Sequence, residues 1–252
     1  MTNEEKRDYY ITFHRFQQSR EKAFAPLFKK VLRQQQQSFI DAVNAGATYD
    51  MALINIPFAP MYELDKKLYI DAGCVYAGKV RLSIVQQQRQ QRKGMQPIGF
   101  NERMVQLINQ YFAVDLLNTV NDITQTTKDN IQAVLMQSTI NGWGFDEIVK
   151  RITNDELNKM RARRIARTET VTAANQGAIF AAQATGLELN KEWLSAIDNR
   201  TREDHISVNG QTVDLNDSFT VGGFAMKQPG DRTFAPAKEI VNCRCTVVFI
   251  PK

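Results

Sequence analysis

Apolar residues recur at three- and four-residue intervals from Asn3 to about Gly46, through Tyr9, Phe13, Phe16, Phe24, Phe28, Val31, Leu32, Phe39, Ile40 and Val43. That period predicts a helix with one buried face. Pro26 lacks the amide that a helix interior needs, so it predicts a kink or the start of a second helix, and Gly46 is a natural stop. A further helix is expected from near Pro60 towards Gly94. After the Pro97–Gly99 break, helices are expected at Asn101–Val120, Thr126–Ile140 and Phe145–Ile152, the last two separated by the turn sequence N-G-W-G (Asn141–Gly144). Thr153 and Glu156 have the spacing of a capping box. They would open a long helix to about Thr185, closed by Gly186.

Beyond Gly186 the helical period gives way to short apolar runs, turn dipeptides and β-branched residues. Lys191–Ile197, Gln211–Leu215, Phe219–Val221 and Thr246–Ile250 are the expected strands. Asn209–Gly210, Gly222–Gly223 and Pro229–Gly230–Asp231 mark tight turns between them. The fold class expected is therefore α+β: a long, mainly α-helical N-terminal region followed by a small, loop-rich α+β C-terminal module. Three segments follow: a helical region over 1–140, a helical connector with a basic helix over 141–186, and the small module over 187–252.

Composition narrows the class. The 252 residues are 43% hydrophobic and 23% charged, enough to bury a core. No apolar run approaches the ~18–20 residues needed to span a bilayer, and the acidic start M-T-N-E-E-K-R-D is not that of a secretory signal. Three cysteines do not make a disulfide scaffold, so synthesis in a reducing cytoplasm is expected.

The net charge of +5 is unevenly placed. Residues 190–252 hold eight basic and eight acidic side chains, so the whole excess lies before them. Between Asp71 and Glu102 there is no acidic residue, whereas Lys79, Arg81, Arg89, Arg92 and Lys93 are basic and Gln86–Lys93 reads Q-Q-Q-R-Q-Q-R-K. The first reading of this stretch is a solvated helix end or arm. The second is contact with nucleic acid or a portal surface, since long cationic and amide side chains can lie along a phosphate backbone.

Three constellations could carry chemistry. In the basic helix, Met160, Arg164, Arg167 and Val171 share one side. Guanidinium groups on a partly apolar stripe need partners, because an unpaired buried charge is costly. Docking through two-point carboxylate pairs, with Glu169 and the acids of the last module as candidates, is the first reading; phosphate or partner binding is the second, and a catalytic Arg/Glu pair the third. In D-N-R-T-R-E-D-H (Asp198–His205), a helix capped by Thr201 would place Arg202 and His205 one turn apart. That string reads as a hydrogen-bond hub or a metal site. Last, Cys243 and Cys245 are too close in sequence for an unstrained mutual disulfide. They either pack as small apolar residues or, with His205 and a fourth ligand from Asp198 or Asp204, hold Zn²⁺. Cys74 reads as a packing residue. The one other histidine is His14, and G-x-S-x-G, C-x-x-C and Walker A signatures are all missing, so no enzyme is expected and no catalytic residue is assigned.

Taken in order, R-x-x-R-T-E (Arg164–Glu169), Trp193, D-x-R-T (Asp198, Arg200, Thr201), Gly210–Gln211, P-G-D (Pro229–Asp231) and N-C-R-C (Asn242, Cys243, Arg244, Cys245) resemble the MuF-like phage minor head proteins, the phage head morphogenesis family. The resemblance covers roughly Asn141–Ile250. Many relatives carry R-T-C-x-x-C, which with C-R-C looks like a four-cysteine zinc site; here Arg202 and His205 stand at those places. Arginine cannot ligate a metal. Either a substitute ligand keeps zinc, or hydrogen bonds and ion pairs replace it; replacement, with no cofactor, is the favoured reading. The resemblance further implies a virion protein in the head interior or at the portal vertex, assembled in the host bacterial cytoplasm, acting in head morphogenesis and DNA packaging. Its partners would be the portal protein, other head proteins and packaged double-stranded DNA, with no membrane and several copies per virion. The alternatives are a DNA-binding virion protein ejected with the genome and, last, a metal-dependent nuclease. Some members are fused to toxin domains, for which no room is expected after Lys252.

Overall fold

The structure, a computed structural model, describes residues 1–91, 100–196 and 198–252, without the side chains of residues 89–91, 100–105, 108–109 and 112–114. Arg92, Lys93, the Pro97–Gly99 break and Ile197 therefore lie outside the described residues, as does the side chain of Arg89. In chain order the elements are α1 (Asn3–Asn44), α2 (Tyr49–Ile54), α3 (Ala59–Leu68), a π-helical turn (Tyr69–Gly73), α4 (Cys74–Gln91), α5 (Phe100–Asn141), α6 (Phe145–Ile152), α7 (Asp155–Ala184), β1 (Leu189–Leu194), α8 (Glu203–Ser207), β2 (Thr212–Asp214), β3 (Phe219–Val221), β4 (Phe224–Met226), α9 (Ala237–Ile240) and β5 (Thr246–Pro251). The architecture is α+β, with long helices first and the small sheets last. No helix among the described residues is long and apolar enough to cross a membrane.

Several expected boundaries move. Helix α1 runs through Pro26 without starting anew. The helix expected from Pro60 is divided by the π-helical turn, and α5 is continuous where a break was expected between Val120 and Thr126. There the threonines fold back on their own helix: Thr119, Thr126 and Thr127 donate to the carbonyls of Asp115, Asp122 and Ile123. Their hydroxyls are satisfied locally, so the polar run stays helical. The capping residue of α7 is Asn154, whose Oδ1 accepts from the Leu157 amide at 3.0 Å. Thr153 instead closes α6 by donating to the Val149 carbonyl.

The chain forms two compact units. One comprises Lys22–Lys66 and Tyr111–Ile165. Its core is Phe39, Ile40, Ala52, Ile56, Ile131, Leu135, Ile148 and Ile152. A buried polar layer runs beside it: Gln35 donates to the Pro57 carbonyl and to Thr124, and accepts from Thr127. Gln36 and Asn158 exchange two amide hydrogen bonds at 2.9 and 2.8 Å.

The other unit comprises Met1–Glu21, Lys67–Gln110 and Ala166–Lys252. Its larger sheet has the order β2-β1-β5, all antiparallel, with Trp193 opposite Val247 and Lys191 between Val213 and Phe249. Strands β3 and β4 form a separate hairpin. The alanine-rich end of α7 is buried (Ala173, Ala174, Ala178, Ala181, Ala182), and small side chains let neighbours approach closely. At Gly177 the approach is backbone to backbone: a Cβ there would lie 2.3 Å from the Gly73 carbonyl oxygen. Phe13, Phe16 and Tyr9 ring Tyr76 with centroids 5.2, 5.3 and 6.4 Å away, distances typical of aromatic packing.

Candidate functional site

The ordered motif residues lie within the second of these units, apart from Arg164. From Arg167 to Asn175, helix α7 meets the C-terminal loops almost one residue at a time. The Arg167 guanidinium holds both oxygens of Glu21, Nε to Oε2 at 2.9 Å and Nη2 to Oε1 at 2.8 Å, and touches Asn242 Oδ1 at 3.4 Å. Thr168 Oγ1 accepts from the Asn242 amide at 3.0 Å. Buried Glu169 accepts from the Tyr69 hydroxyl and from Arg232 Nη2 at 2.5 Å. Gly230, at φ +89, sits so close to Thr172 that a Cβ would lie 2.5 Å from its hydroxyl oxygen. Asn175 donates to the Cys245 carbonyl and accepts from the Thr246 hydroxyl.

Arg167 makes a two-point carboxylate pair, but with Glu21 of α1, not with Glu169 or an acid of the last module as expected. Arg164 is exposed and Met160 is 67% exposed, so those two do not share a buried stripe.

Asp198 folds into a turn, accepting from the Arg200 amide at 3.0 Å and the Thr201 hydroxyl at 3.2 Å. Its two oxygens then take both terminal nitrogens of Arg244. This pairing holds the Asp198 carboxyl well below the usual carboxylate range and pushes the Arg244 guanidinium up. Arg200 is exposed and reaches Asp198 at 3.4 Å. Thr201 does not cap a helix as expected: its hydroxyl donates to the Ala196 carbonyl, and α8 begins after Arg202, which donates to the Val241 carbonyl. Gly210, at φ +81, donates its amide to the Trp193 carbonyl and continues the ladder beside β1.

N-C-R-C is a turn followed by strand-like alternation. Asn242 takes the left-handed conformation, φ 62, that asparagine tolerates better than most residues. Arg244 points to Asp198, while Cys243 and Cys245 point inward with His205. The three inward side chains are buried, and their ligand-type atoms lie within 4.8 Å of one another. His205 Nδ1 is 3.4 Å from Cys245 Sγ and 3.6 Å from Cys243 Sγ. On the ring's other side, Nε2 lies 3.1 Å from Oε2 of buried Glu239. The buried Trp193 ring meets the imidazole edge-on at 5.7 Å and Phe219 at 5.3 Å. The bond from Cys243 lowers the Cys245 thiol well below its ordinary range, while the same bond and burial push Cys243 up.

Neither Asp198 nor Asp204 joins this group among the described residues. Glu239 stands closest to the histidine, and sequence reasoning missed it, as it missed Glu21, Asn175 and Arg232. The available signal for Glu239 was a lone carboxylate in the short run A-K-E-I-V just ahead of N-C-R-C. Of the basic stretch, Lys79 is exposed with its Nζ 5.0 Å over the Phe16 ring, and Arg81 is half-buried.

Residues 129–248 match the family described as "Phage Mu protein F like protein". The chain is 35% identical over 133 residues to an NAD(+)–arginine ADP-ribosyltransferase of Enterococcus faecalis, covering 51% of this chain and 26% of that protein. It is 29% identical over 126 residues to minor head protein GP7 of Bacillus phage SPP1, covering 48% of this chain and 40% of that protein. The chain thus spans less than half the length of either relative. No solved structure matches it. Residues 129–248, whose ordered motifs build most of the hub just described, are thus similar to the MuF-like phage minor head proteins.

Proposed function

We propose that this chain is a structural component of the phage head, acting in morphogenesis at or near the portal vertex and assembled in the host bacterial cytoplasm. The observation that carries the reading is how the matched segment uses its polar motif residues. Arg167, Thr168, Glu169, Asp198, Asn242 and Arg244, with Asn175 beside them, are engaged with one another, with neighbouring backbone or with the side chains of Glu21, Tyr69 and Arg232. His205, Cys243, Cys245 and Glu239 are buried. A catalytic group must reach its substrate, and these do not face solvent. Such a hub supports a rigid building block that presents its outer surface to partners. The named ADP-ribosyltransferase activity of one relative is not extended to this chain, which spans about a quarter of that protein.

Partners on this reading are the portal protein and other head proteins, with several copies per virion. Contact with packaged DNA would fall to the basic stretch that includes exposed Lys79. Co-expression with the portal and major capsid proteins of the same genome, followed by cryo-EM of the purified particles, tests the proposal. Density at the portal vertex is the expected result; a free protein that binds neither partner would overturn it. Retention on double-stranded DNA that falls steeply with salt would support the DNA contact, and no retention at low salt would remove it. Incubation with NAD⁺ and an arginine-bearing acceptor is expected to leave the acceptor unmodified.

A further inference from the structure

We infer that His205, Cys243 and Cys245 form a Zn²⁺ site in which Glu239 is the positioning residue that aims the histidine. The inference stands independently of the head-protein reading, because it rests on the geometry of four buried side chains.

A carboxylate can only accept, so the 3.1 Å contact to Glu239 Oε2 assigns the ring proton to Nε2. Lys238 Nζ lies 3.4 Å from the other oxygen, Glu239 Oε1. Nδ1 is then left to face the two sulfurs at 3.4 and 3.6 Å. One nitrogen lone pair accepts from one thiol, yet two sulfurs converge on it at nearly equal distance. A cation at the point of convergence uses all three donors at once.

The spacing fits. For tetrahedral zinc with Zn–N of about 2.0–2.1 Å and Zn–S of about 2.3 Å, the N···S edge is about 3.5 Å, midway between the two observed distances. The charge fits as well. Zn²⁺ binding releases the thiol protons and forms two Zn–S bonds and one Zn–N bond, and the two thiolates neutralise the dication. The imidazole stays neutral and gives its remaining N–H to Glu239. That is the carboxylate–histidine–metal arrangement in which the outer carboxylate fixes the tautomer and the ring orientation. Soft sulfur and imidazole donors favour zinc over magnesium or calcium.

The chain supports the site from every side. Arg244, between the two cysteines, is tied to Asp198, which fixes the alternation that sends both sulfurs inward. Asn175 holds the Cys245 carbonyl, Ser195 Oγ donates to the His205 carbonyl, and Trp193 packs on the ring. Three protein ligands leave one corner of a tetrahedral site without a protein donor.

The test uses the full chain, purified from zinc-supplemented cells without chelator. Metal analysis is expected to give about one zinc per chain. After zinc removal under reducing conditions, titration with Co²⁺ is expected to produce a cysteinate-to-cobalt charge-transfer band together with visible bands of tetrahedral intensity. Cys243→Ser and Cys245→Ser should each abolish the charge-transfer band's normal intensity. Glu239→Gln keeps all three ligands and should weaken zinc affinity about 10- to 100-fold, with the band position retained. A merely structural Glu239 would lower the melting temperature without moving metal affinity, which would overturn its positioning role. Wild-type protein that carries no zinc, gives no Co²⁺ band and melts identically with and without chelator would overturn the site itself. If the serine variants fail to fold, the wild-type metal content and Co²⁺ titration decide the question alone.

Discussion

Arg167 grips Glu21 at two points, 2.9 and 2.8 Å, across 146 positions of sequence. Both side chains are largely shielded, at 29% and 17% exposure, so water competes weakly for either partner. The planar guanidinium fork matches the two carboxylate oxygens as an ammonium cannot. This pair ties the first helical stretch of its unit to α7 at the residue that also touches Asn242, the first residue of N-C-R-C.

Removing that fork should therefore weaken the whole unit. Arg167→Ala is expected to lower unfolding stability by about 2 kcal/mol, in the range for charge-assisted hydrogen bonds. Arg167→Lys should recover less than half of the loss. Urea denaturation of both variants measures this, and a double-mutant cycle with Glu21→Gln should give a coupling energy well above that of an exposed ion pair. A coupling near zero would show that the contact is incidental.

Acid should act on the Asp198–Arg244 pair. Arg244 holds the folded-state Asp198 carboxyl well below the unfolded value of about 3.9. The unfolded chain therefore takes up this proton first as pH falls. The pair's contribution is full above about pH 4 and is lost progressively below it. Asp198→Asn should destabilise the protein at pH 7 and leave Arg244, only 8% exposed, without its carboxylate. The gap between wild type and variant should narrow below pH 4. Urea midpoints at pH 7 and pH 3 provide the check; an unchanged gap would mean that the pair does not titrate with folding.

Much of this was legible in the sequence, and the parts that were not have a common cause. Period alone placed α1, and the short apolar runs with turn dipeptides placed β3 and most of β1, β2 and β5. The inward–outward alternation of N-C-R-C follows from spacing two residues apart. By contrast, the polar run before Thr126 read as a break because its satisfaction depends on carbonyls one turn back and, for Thr124 and Thr127, on Gln35 far away in sequence. Glu21 and Glu239 look like ordinary carboxylates in their own stretches. Only the fold brings Arg167 and His205 to them. Strand β4 is three residues long, too short to show an alternation.

Asn175 is such a hidden residue, and its loss should be expensive. Fully buried, it donates to the Cys245 carbonyl at 3.1 Å and accepts from Thr246 at 2.9 Å. Asn175→Ala would leave a buried carbonyl and a buried hydroxyl without this partner. A cost of about 2–4 kcal/mol is expected, since each buried unsatisfied group costs about 1–3 kcal/mol. Asn175→Asp should not rescue it, because a carboxylate cannot donate to the Cys245 carbonyl. Thermal melts that place Asn175→Ala within a degree of wild type would refute the role.

Lys191 should stabilise the protein by being removed. It lies on the central strand β1, fully buried, with its Nζ 5.3 Å from the centre of the Phe219 ring and no hydrogen-bond partner among the described residues. Burial lowers its pKa to about 8; Lys227 pushes the same way, and Asp231 and Asp217 oppose it. In the unfolded chain a lysine titrates near 10.4. Below pH 8 both states are charged, and the folded state bears the full cost of a poorly solvated ammonium. Between about pH 8 and 10.4 the unfolded chain binds more protons than the folded one, so stability rises with pH. Above that range the cost is gone. Lys191→Met keeps the length of the side chain and deletes the charge. It is expected to raise stability at pH 7 by about 1–3 kcal/mol, with its advantage over wild type shrinking as pH climbs from 8 to 10.4. Urea denaturation of both proteins across that range, under reducing conditions, reads the difference directly. A variant less stable than wild type at pH 7 would mean that the ammonium contributes a favourable contact with the Phe219 face that outweighs its desolvation.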